Sequence, residues 1–262
     1  MSISNVLAFD IETVPDVEFG RRLHGLEGLT DKQVGYVMQT RQREQTGSEF
    51  LSLEQHRVVA ISVAMRTREG FRAWSLGEPD SPESELLRSF FDGIDRYGPT
   101  LVSWNGSGFD LPVLHYRALR HSLQAPRYWE TGDEDPAFRW NNYLSRFHWR
   151  HVDLMDVLSG FQGRGRVGLD RMAQLLGFPG KLGMSGEAVG EAHLEGRVED
   201  IRNYCETDVI NTYLIYLRFE LMRGRLTPEE HGRESALVRS WLGDATQPHL
   251  GEFLAAWTTA AE

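Results

Sequence analysis

Apolar and polar positions set out a short α/β chain. An apolar run with alternating character at Val6–Ile11 reads as a buried strand, and Arg57–Met65 reads as a second. A third, Gly70–Leu76, follows the turn Arg68-Glu69-Gly70. Leu86, Leu87, Phe90, Phe91 and Ile94 then recur at helical spacing and predict a helix over 84–97. Pro99–Trp104 reads as a central strand. Three strands before any helix of the main layer predict an antiparallel meander with parallel strands added later, hence a mixed sheet. Further on, Gly168–Gly177 predicts a compact helix ended by its glycine. Ile201, Cys205, Val209, Thr212 and Leu214 suit a long amphipathic helix. After Thr227-Pro228, an amphipathic helix is expected near Ser235–Leu242.

The 262 residues suit one generous domain. It is expected over 1–225, interrupted by a polar insertion at 17–56 and followed by a helical extension at 226–262 that packs on it. No repeat, low-complexity tract or long linker marks a second domain.

Candidate chemistry lies at three places. Asp10 and Glu12 stand two apart on the first strand, so their carboxylates project from one face. Two such anions repel at a cost of several kcal/mol unless neutralised, and hard divalent cations take oxygen ligands; the bland reading is a solvated strand end. Asp110 follows a Gly-rich turn and precedes Leu111-Pro112, where it reads as a helix N-cap or as a third acid of the same site. Tyr204 and Asp208 are four apart and share a helical face, either as a buried hydrogen-bonded pair or as part of that site.

Taken together, Asp-x-Glu on a first strand, Asn-x-x-x-Phe-Asp after a later one and Tyr-x-x-x-Asp on a late helix resemble the three exonuclease motifs of the DEDD superfamily. Tyr204, four residues before Asp208, resembles the mark of its DEDDy branch; the sister branch has His five residues before that Asp, where this chain has Asn203. Over about residues 5–220 the chain is similar to the proofreading exonuclease domain of family B DNA polymerases and to stand-alone predicted 3′–5′ exonucleases related to it. The resemblance implies an RNase H-like α/β fold, a mixed five-stranded sheet flanked by helices. It also implies a catalytic set of Asp10, Glu12, Asp110, Tyr204 and Asp208. Thr13, Asn105, Phe109 and Lys181 match substrate-binding positions, Asn105 by hydrogen bonding, Phe109 by stacking and Lys181 by reaching the scissile phosphate or leaving group. Lys181 reads as well as a surface cation. Asp153, in His151-Val-Asp-Leu, is expected to cap a helix and support the site without holding metal, and Asp156 to be a surface acid.

A phosphodiester is a poor electrophile wrapped in negative charge, so its hydrolysis requires charge neutralisation and an aligned water. Two Mg²⁺ or Mn²⁺ ions per site supply both in the two-metal scheme. In that scheme Asp10 bridges the ions, Glu12 and Asp208 complete one, and Asp110 holds the second. Tyr204 orients the attacking water, since an unperturbed phenol with a pKa near 10 is a weak proton acceptor. The expected substrate is a single-stranded 3′ end, DNA before RNA. The alternatives are an RNA or oligoribonucleotide exonuclease and, from another class, a non-catalytic nucleic-acid-binding module.

Composition qualifies this reading. Lys plus Arg number 28 against 38 Asp plus Glu, a net charge of −10 and the wrong sign for a simple nucleic-acid binder. It favours a short footprint at a strand end, or a polymerase or repair partner. The single Cys205 excludes an intrachain disulfide and reads as a small buried side chain. With no signal-peptide pattern and no long apolar run, a cytoplasmic location without membrane contact is expected. Composition leaves oligomeric state open. The 17–56 segment, with Val34, Val37 and Met38 at helical spacing, is expected to form one or two helices over the mouth of the site, or else a solvated excursion. Residues 126–150 interleave Tyr128, Trp129, Phe138, Trp140, Tyr143, Phe147 and Trp149 with Arg139, Arg146 and Arg150, which suits either stacking on unpaired bases or packing of a long loop.

Overall fold

The structure is a computed structural model and describes residues 5–257. The last residues of the expected C-terminal extension, 258–262, lie outside the described residues. Five strands form one mixed sheet: β1 (Val6–Pro15), β2 (His56–Thr67), β3 (Gly70–Ser75), β4 (Thr100–Ser103) and β5 (His151–Asp153), in the order β3-β2-β1-β4-β5. β2 pairs antiparallel with β1 and β3, while β4 and β5 are parallel to β1 and to each other. The expected meander with added parallel strands is the one observed, and the architecture is that of an RNase H-like α/β domain. β1, not β4, is the middle strand. It runs four residues beyond the expected Ile11, because Thr13, Val14 and Pro15 continue to pair with β2 after an irregularity between Glu12 and Thr13.

Around the sheet lie α1 (Val17–His24), α2 (Asp31–Thr46), α3 (Glu83–Tyr97), α4 (Asp110–Arg120), α5 (Pro126–Trp129), α6 (Leu154–Leu158), α7 (Leu169–Leu175), α8 (Val189–Leu194), α9 (Val198–Met222), α10 (Pro228–Asp244) and α11 (Pro248–Ala256). The alternation of β1 explains how it is covered. Leu7, Phe9 and Ile11 join one core with Leu87, Phe90, Phe91 and Ile94 of α3 and Val113 and Leu114 of α4. Val6 and Ala8 join the opposite core with Val209, Tyr213 and Leu217 of α9. Asp10 and Glu12 continue this second face, toward α9.

The amphipathic reading of α9 holds over its first half, where Glu199 and Asp200 are exposed and Ile201, Tyr204 and Cys205 buried, and fails over its second. Val209 to Leu217 are all buried. α7, α10 and α11 lie over the side that the sequence pattern assigns to solvent, and their Ala173, Val238, Leu242, Leu250 and Phe253 share its core. A helical segment buried on every side belongs to the core. α10 starts at a capping box of Thr227 and Glu230, with Pro228 at its first position. Glu234 on α10 holds Arg66 of β2 through two short hydrogen bonds, 2.7 and 2.9 Å.

The 17–56 insertion forms α1 and α2 and packs mainly on itself, through Val34, Met38 and Leu51 with Val17, Leu26 and Leu29. It is fastened to the domain by Arg117 of α4, which is 3% exposed. The Arg117 guanidinium donates to Asp16 at 2.5 Å and to Glu83 at 2.6 and 2.7 Å. Asp16 in turn caps α1, and Glu83 accepts the backbone N–H of Val58. Removing one member of a buried ion cluster leaves its partners uncompensated. Arg117→Ala is expected to lower the unfolding free energy by about 3–5 kcal/mol, measured by urea denaturation. A loss within the range of an exposed ion pair, below about 1 kcal/mol, would mean the cluster is solvated.

Candidate active site

Three elements deliver acids to one place. β1 brings Asp10 and Glu12, the N-terminus of α4 brings Asp110, and α9 brings Asp208 with Tyr204 one turn earlier. Glu12, Asp110, Asp208 and Tyr204 are buried and Asp10 is partly buried.

Asp110 is the first residue of α4, with Phe109 at the capping position, so it is not the N-cap that Pro112 predicts. Its carboxylate instead crosses to β1 and accepts the backbone N–H of Ile11 at 3.1 Å. The turn before it is tightly specified. Asn105 adopts a left-handed φ of 68°, which Asn tolerates better than most residues. A Cβ at Gly106 would lie 2.3 Å from the Ser103 hydroxyl, so only glycine fits. Asp153 fixes this turn from the neighbouring strand. Its carboxylate accepts the backbone N–H groups of Asn105 (3.0 Å) and Ser107 (2.8 Å) while capping α6 through Asp156. Its support of the site thus acts through the backbone of the turn. Asp156 is buried and takes a 2.6 Å hydrogen bond from Arg166, contrary to its expected place on the surface.

The clustering is visible electrostatically. Burial, then the charges of Asp110, Glu12 and Asp208, push the Asp10 carboxyl well above the usual carboxylate range. Burial, then Asp208 and Asp110, do the same to Glu12, against the pull of Lys181. Burial pushes Asp110 up to about 7, opposed by its own and the Ile11 backbone N–H. Burial pushes Asp208 up to about 6, opposed by Lys181 and the Tyr204 hydroxyl. Tyr204 is itself pushed upward, by burial first and then by Asp208, Glu12 and Asp10, so its hydroxyl stays protonated.

Lys181 stands beside these acids, its ammonium 5.2 Å from the centre of the Tyr204 ring. The loop that carries it is tied down by Asn211 of α9, which donates to the Gly180 carbonyl at 3.0 Å. Gly180 has φ 66°, and a Cβ there would meet an Asp170 carboxylate oxygen at 2.5 Å.

Thr13 and Phe109 both meet His56. The Thr13 hydroxyl lies 2.8 Å from His56 Nδ1, and His56 Nε2 lies 3.2 Å from the Leu51 carbonyl. Burial holds His56 below its usual pKa, so it is neutral, with Nε2 donating to the carbonyl and Nδ1 accepting from Thr13. The Thr13 hydroxyl proton is therefore committed within the protein. The rings of Phe50 and His56 pack on Phe109 at 5.5 and 5.1 Å, which brings the end of the 17–56 insertion against it. Asn105 lies in the same turn as Phe109, its Oδ1 2.6 Å from where a Cβ of Gly108 would stand.

Cys205 was missed by sequence reasoning. Its thiol lies 3.6 Å from Asp10 Oδ2 and 3.5 Å from the Asp10 carbonyl oxygen, and it can donate to either. Burial, then Asp10 and Glu12, push the thiol pKa up, so it remains a protonated donor. Its spacing from Tyr204 and Asp208 on one helix was the available signal.

These residues fit divalent cations. Ligand atoms of Asp10, Glu12 and Cys205 lie within 4.8 Å of one another. Among the described residues, Oδ1 of Asp208 is buried without a hydrogen-bond partner, which leaves its lone pairs unused. With the thiol protonated, the donor set is carboxylate oxygen, the set that hard divalent cations prefer.

A family described as a predicted 3′-5′ exonuclease related to the exonuclease domain of PolB matches residues 48–257. The chain belongs to this family. Its matched range covers Asp110, Tyr204 and Asp208 but begins after β1, so the placing of Asp10 and Glu12 rests on the geometry above. A catalytic subunit of DNA polymerase epsilon from Arabidopsis thaliana is 24% identical over 227 residues, 82% of this chain and 10% of that protein. DNA polymerase 1 of Sulfurisphaera ohwakuensis is 50% identical over 38 residues, 14% of this chain and 4% of that protein. The chain thus spans about a tenth or less of the length of these curated relatives. Among the described residues no helix is long and apolar enough to cross a membrane.

The raised carboxylates set a pH dependence. A carboxyl whose folded pKa lies above its unfolded value favours folding below the unfolded pKa and loses that contribution as pH rises through the folded one. For Asp208 the window runs from about 4 up to about 6. Asp208→Asn is therefore expected to match the wild-type melting temperature near pH 4 and to exceed it increasingly by pH 7, in metal-free buffer. Equal melting temperatures across that window would show that the Asp208 carboxyl is not raised.

Proposed function

We propose that this chain is a divalent-metal-dependent 3′–5′ exonuclease that hydrolyses single-stranded ends, DNA before RNA, to nucleoside 5′-monophosphates. The observation that carries the proposal is the convergence of Asp10, Glu12, Asp110 and Asp208, from three separate elements, on one site whose carboxyls are all raised by burial, those of Asp10 and Glu12 also by the charges of the others. Acids held together at such a cost are a functional signature. Membership of a predicted exonuclease family supplies the reaction class.

Bound among these carboxylates, Mg²⁺ or Mn²⁺, two ions in the scheme this reading adopts, supplies charge neutralisation and a water of lowered pKa. The chain's own residues do the rest. Asp10, Glu12, Asp110 and Asp208 hold the charge and fix its position, each anchored by a regular element. Tyr204, kept protonated, orients the attacking water through its hydroxyl and does not remove its proton. Lys181, beside Tyr204, reaches the phosphate or the leaving oxygen. Phe109, packed by Phe50 and His56, offers a ring for the terminal base, and Asn105 a hydrogen bond from its fixed turn. Thr13 contributes backbone groups and the lone pairs of its hydroxyl. A non-catalytic binding module would have no use for a complete set of four acids and a tyrosine.

Two substitutions test the assignment. Asp10→Ala is expected to abolish nuclease activity while leaving the fold as stable as wild type or more so, since it relieves repulsion. Tyr204→Phe is expected to lower turnover by about 10- to 1,000-fold with little change in substrate affinity. Full activity in purified Asp10→Ala would remove the site. A Phe variant with normal turnover and a lower melting temperature would reduce Tyr204 to a packing residue.

A further inference from the structure

The long aromatic loop divides in two. Tyr128, Phe138 and Tyr143 are buried in the core beside α3, with Tyr128 and Tyr143 stacked at 5.6 Å. Trp140 and Phe147 stand out in solvent, 83% and 71% exposed. Packing does not account for these two.

Charge is segregated within residues 136–169, between the acids Glu130, Asp133, Glu134 and Asp135 on one side and Asp170 on the other. Residues 136–169 hold five arginines and two acids, in a chain of net charge −10. Both acids, Asp153 and Asp156, are buried and already engaged, Asp153 by backbone N–H groups and Asp156 by Arg166. The stretch therefore presents exposed cations, Arg139, Arg146 and Arg164, and no exposed carboxylate.

One of these cations, Arg146, is built into an aromatic surface. The Arg146 guanidinium lies over the Phe147 ring at 5.0 Å and the Phe161 ring at 4.9 Å, and these two rings meet at 5.7 Å. Phe161 holds its place with φ 59°, a conformation that is costly for an aromatic residue and persists only where its surroundings impose it. The segment that carries this surface is tied to the turn of the proposed active site by two contacts. Asp153 holds the Asn105 turn, and Trp104 Nε1 donates to the Val167 carbonyl at 3.1 Å, joining the end of β4 to the loop that carries Phe161 and Arg164.

We propose that this arginine–aromatic surface, beside the short edge strand β5, is a track for single-stranded nucleic acid, holding the nucleotides that follow the terminal ones held at Asn105 and Phe109. The inference rests on the exonuclease reading and extends its footprint. Unpaired bases stack on the free faces of Trp140, Phe147 and Phe161, and guanidinium edges meet the phosphates. The acidic total of the chain does not oppose this, because residues 136–169 themselves expose no carboxylate.

The test is fluorescence anisotropy of the full chain in EDTA, with labelled oligothymidylate of about 12 nucleotides against a trinucleotide. Wild type is expected to bind the longer strand at least about 10-fold more tightly, with a gain that shrinks as salt rises. Arg146→Glu with Phe147→Ala is expected to reduce its affinity to that of the trinucleotide at an unchanged melting temperature. If the double variant melts lower, Phe147→Ala alone carries the test, with a loss of several-fold expected. The proposal is overturned if wild type shows no gain with length, if the variant keeps the gain, or if a poly-glutamate peptide competes as well as the oligonucleotide. Failure of the exonuclease reading itself would show separately, as no metal-dependent release of mononucleotides from wild type.

Discussion

Repulsion among four carboxylates is the constraint to which the rest of this molecule answers. Left in water, Asp10, Glu12, Asp110 and Asp208 would separate and ionise independently. Held together and buried, they titrate upward, and the protein must hold them there. β1 does so as the middle strand, flanked by β2 and β4 and covered on both faces. α9 does so as a 25-residue helix packed among α7, α10 and α11, and so unable to move away. The backbone N–H of Ile11, the Cys205 thiol and the Tyr204 hydroxyl oppose the repulsion locally but do not cancel it. A site that remains strained after such support is prepared for positive charge from outside the chain.

The outer parts of the domain serve the same geometry. Arg117 binds Asp16 and Glu83, which locks the end of β1 and the 17–56 insertion onto α4, the helix whose first residue is Asp110. Asp153 fixes the Asn105 turn from β5. Asn211 on α9 fixes the loop of Lys181 three residues beyond Asp208. Each group near the site is held by a contact from a different element, so the structure resists the loss of any one poorly.

Much of this was legible in the sequence because its signals are local. The meander followed from strand-length apolar runs separated by short turns, and the shared face of Asp10 and Glu12 from the two-residue period of a strand. Tyr204 and Asp208 followed from the period of a helix. What stayed hidden depends on contacts between distant segments. The burial of Val209–Leu217 of α9 on all sides could not be read, since it depends on the packing of α7, α10 and α11, which leaves no local signal. Asp110 looked like a cap beside Pro112 because its partner, the Ile11 N–H, lies 99 residues away. Asp156 looked exposed until Arg166 folded back on it, and Cys205 gave no sign of Asp10, 195 residues earlier. The 126–150 loop supported two readings, and the structure shows packing for one part of it, with Phe138 and Tyr143 inside and Trp140 and Phe147 outside.

The most direct test of the central claim is the fate of a single-stranded DNA oligomer labelled at its 5′ end and incubated with the purified chain, with and without Mg²⁺ or Mn²⁺. The account predicts a ladder of labelled products that shorten one nucleotide at a time, only when a divalent ion is present. Release of the labelled 5′ mononucleotide as the first product, or an intact strand with either ion, would contradict it.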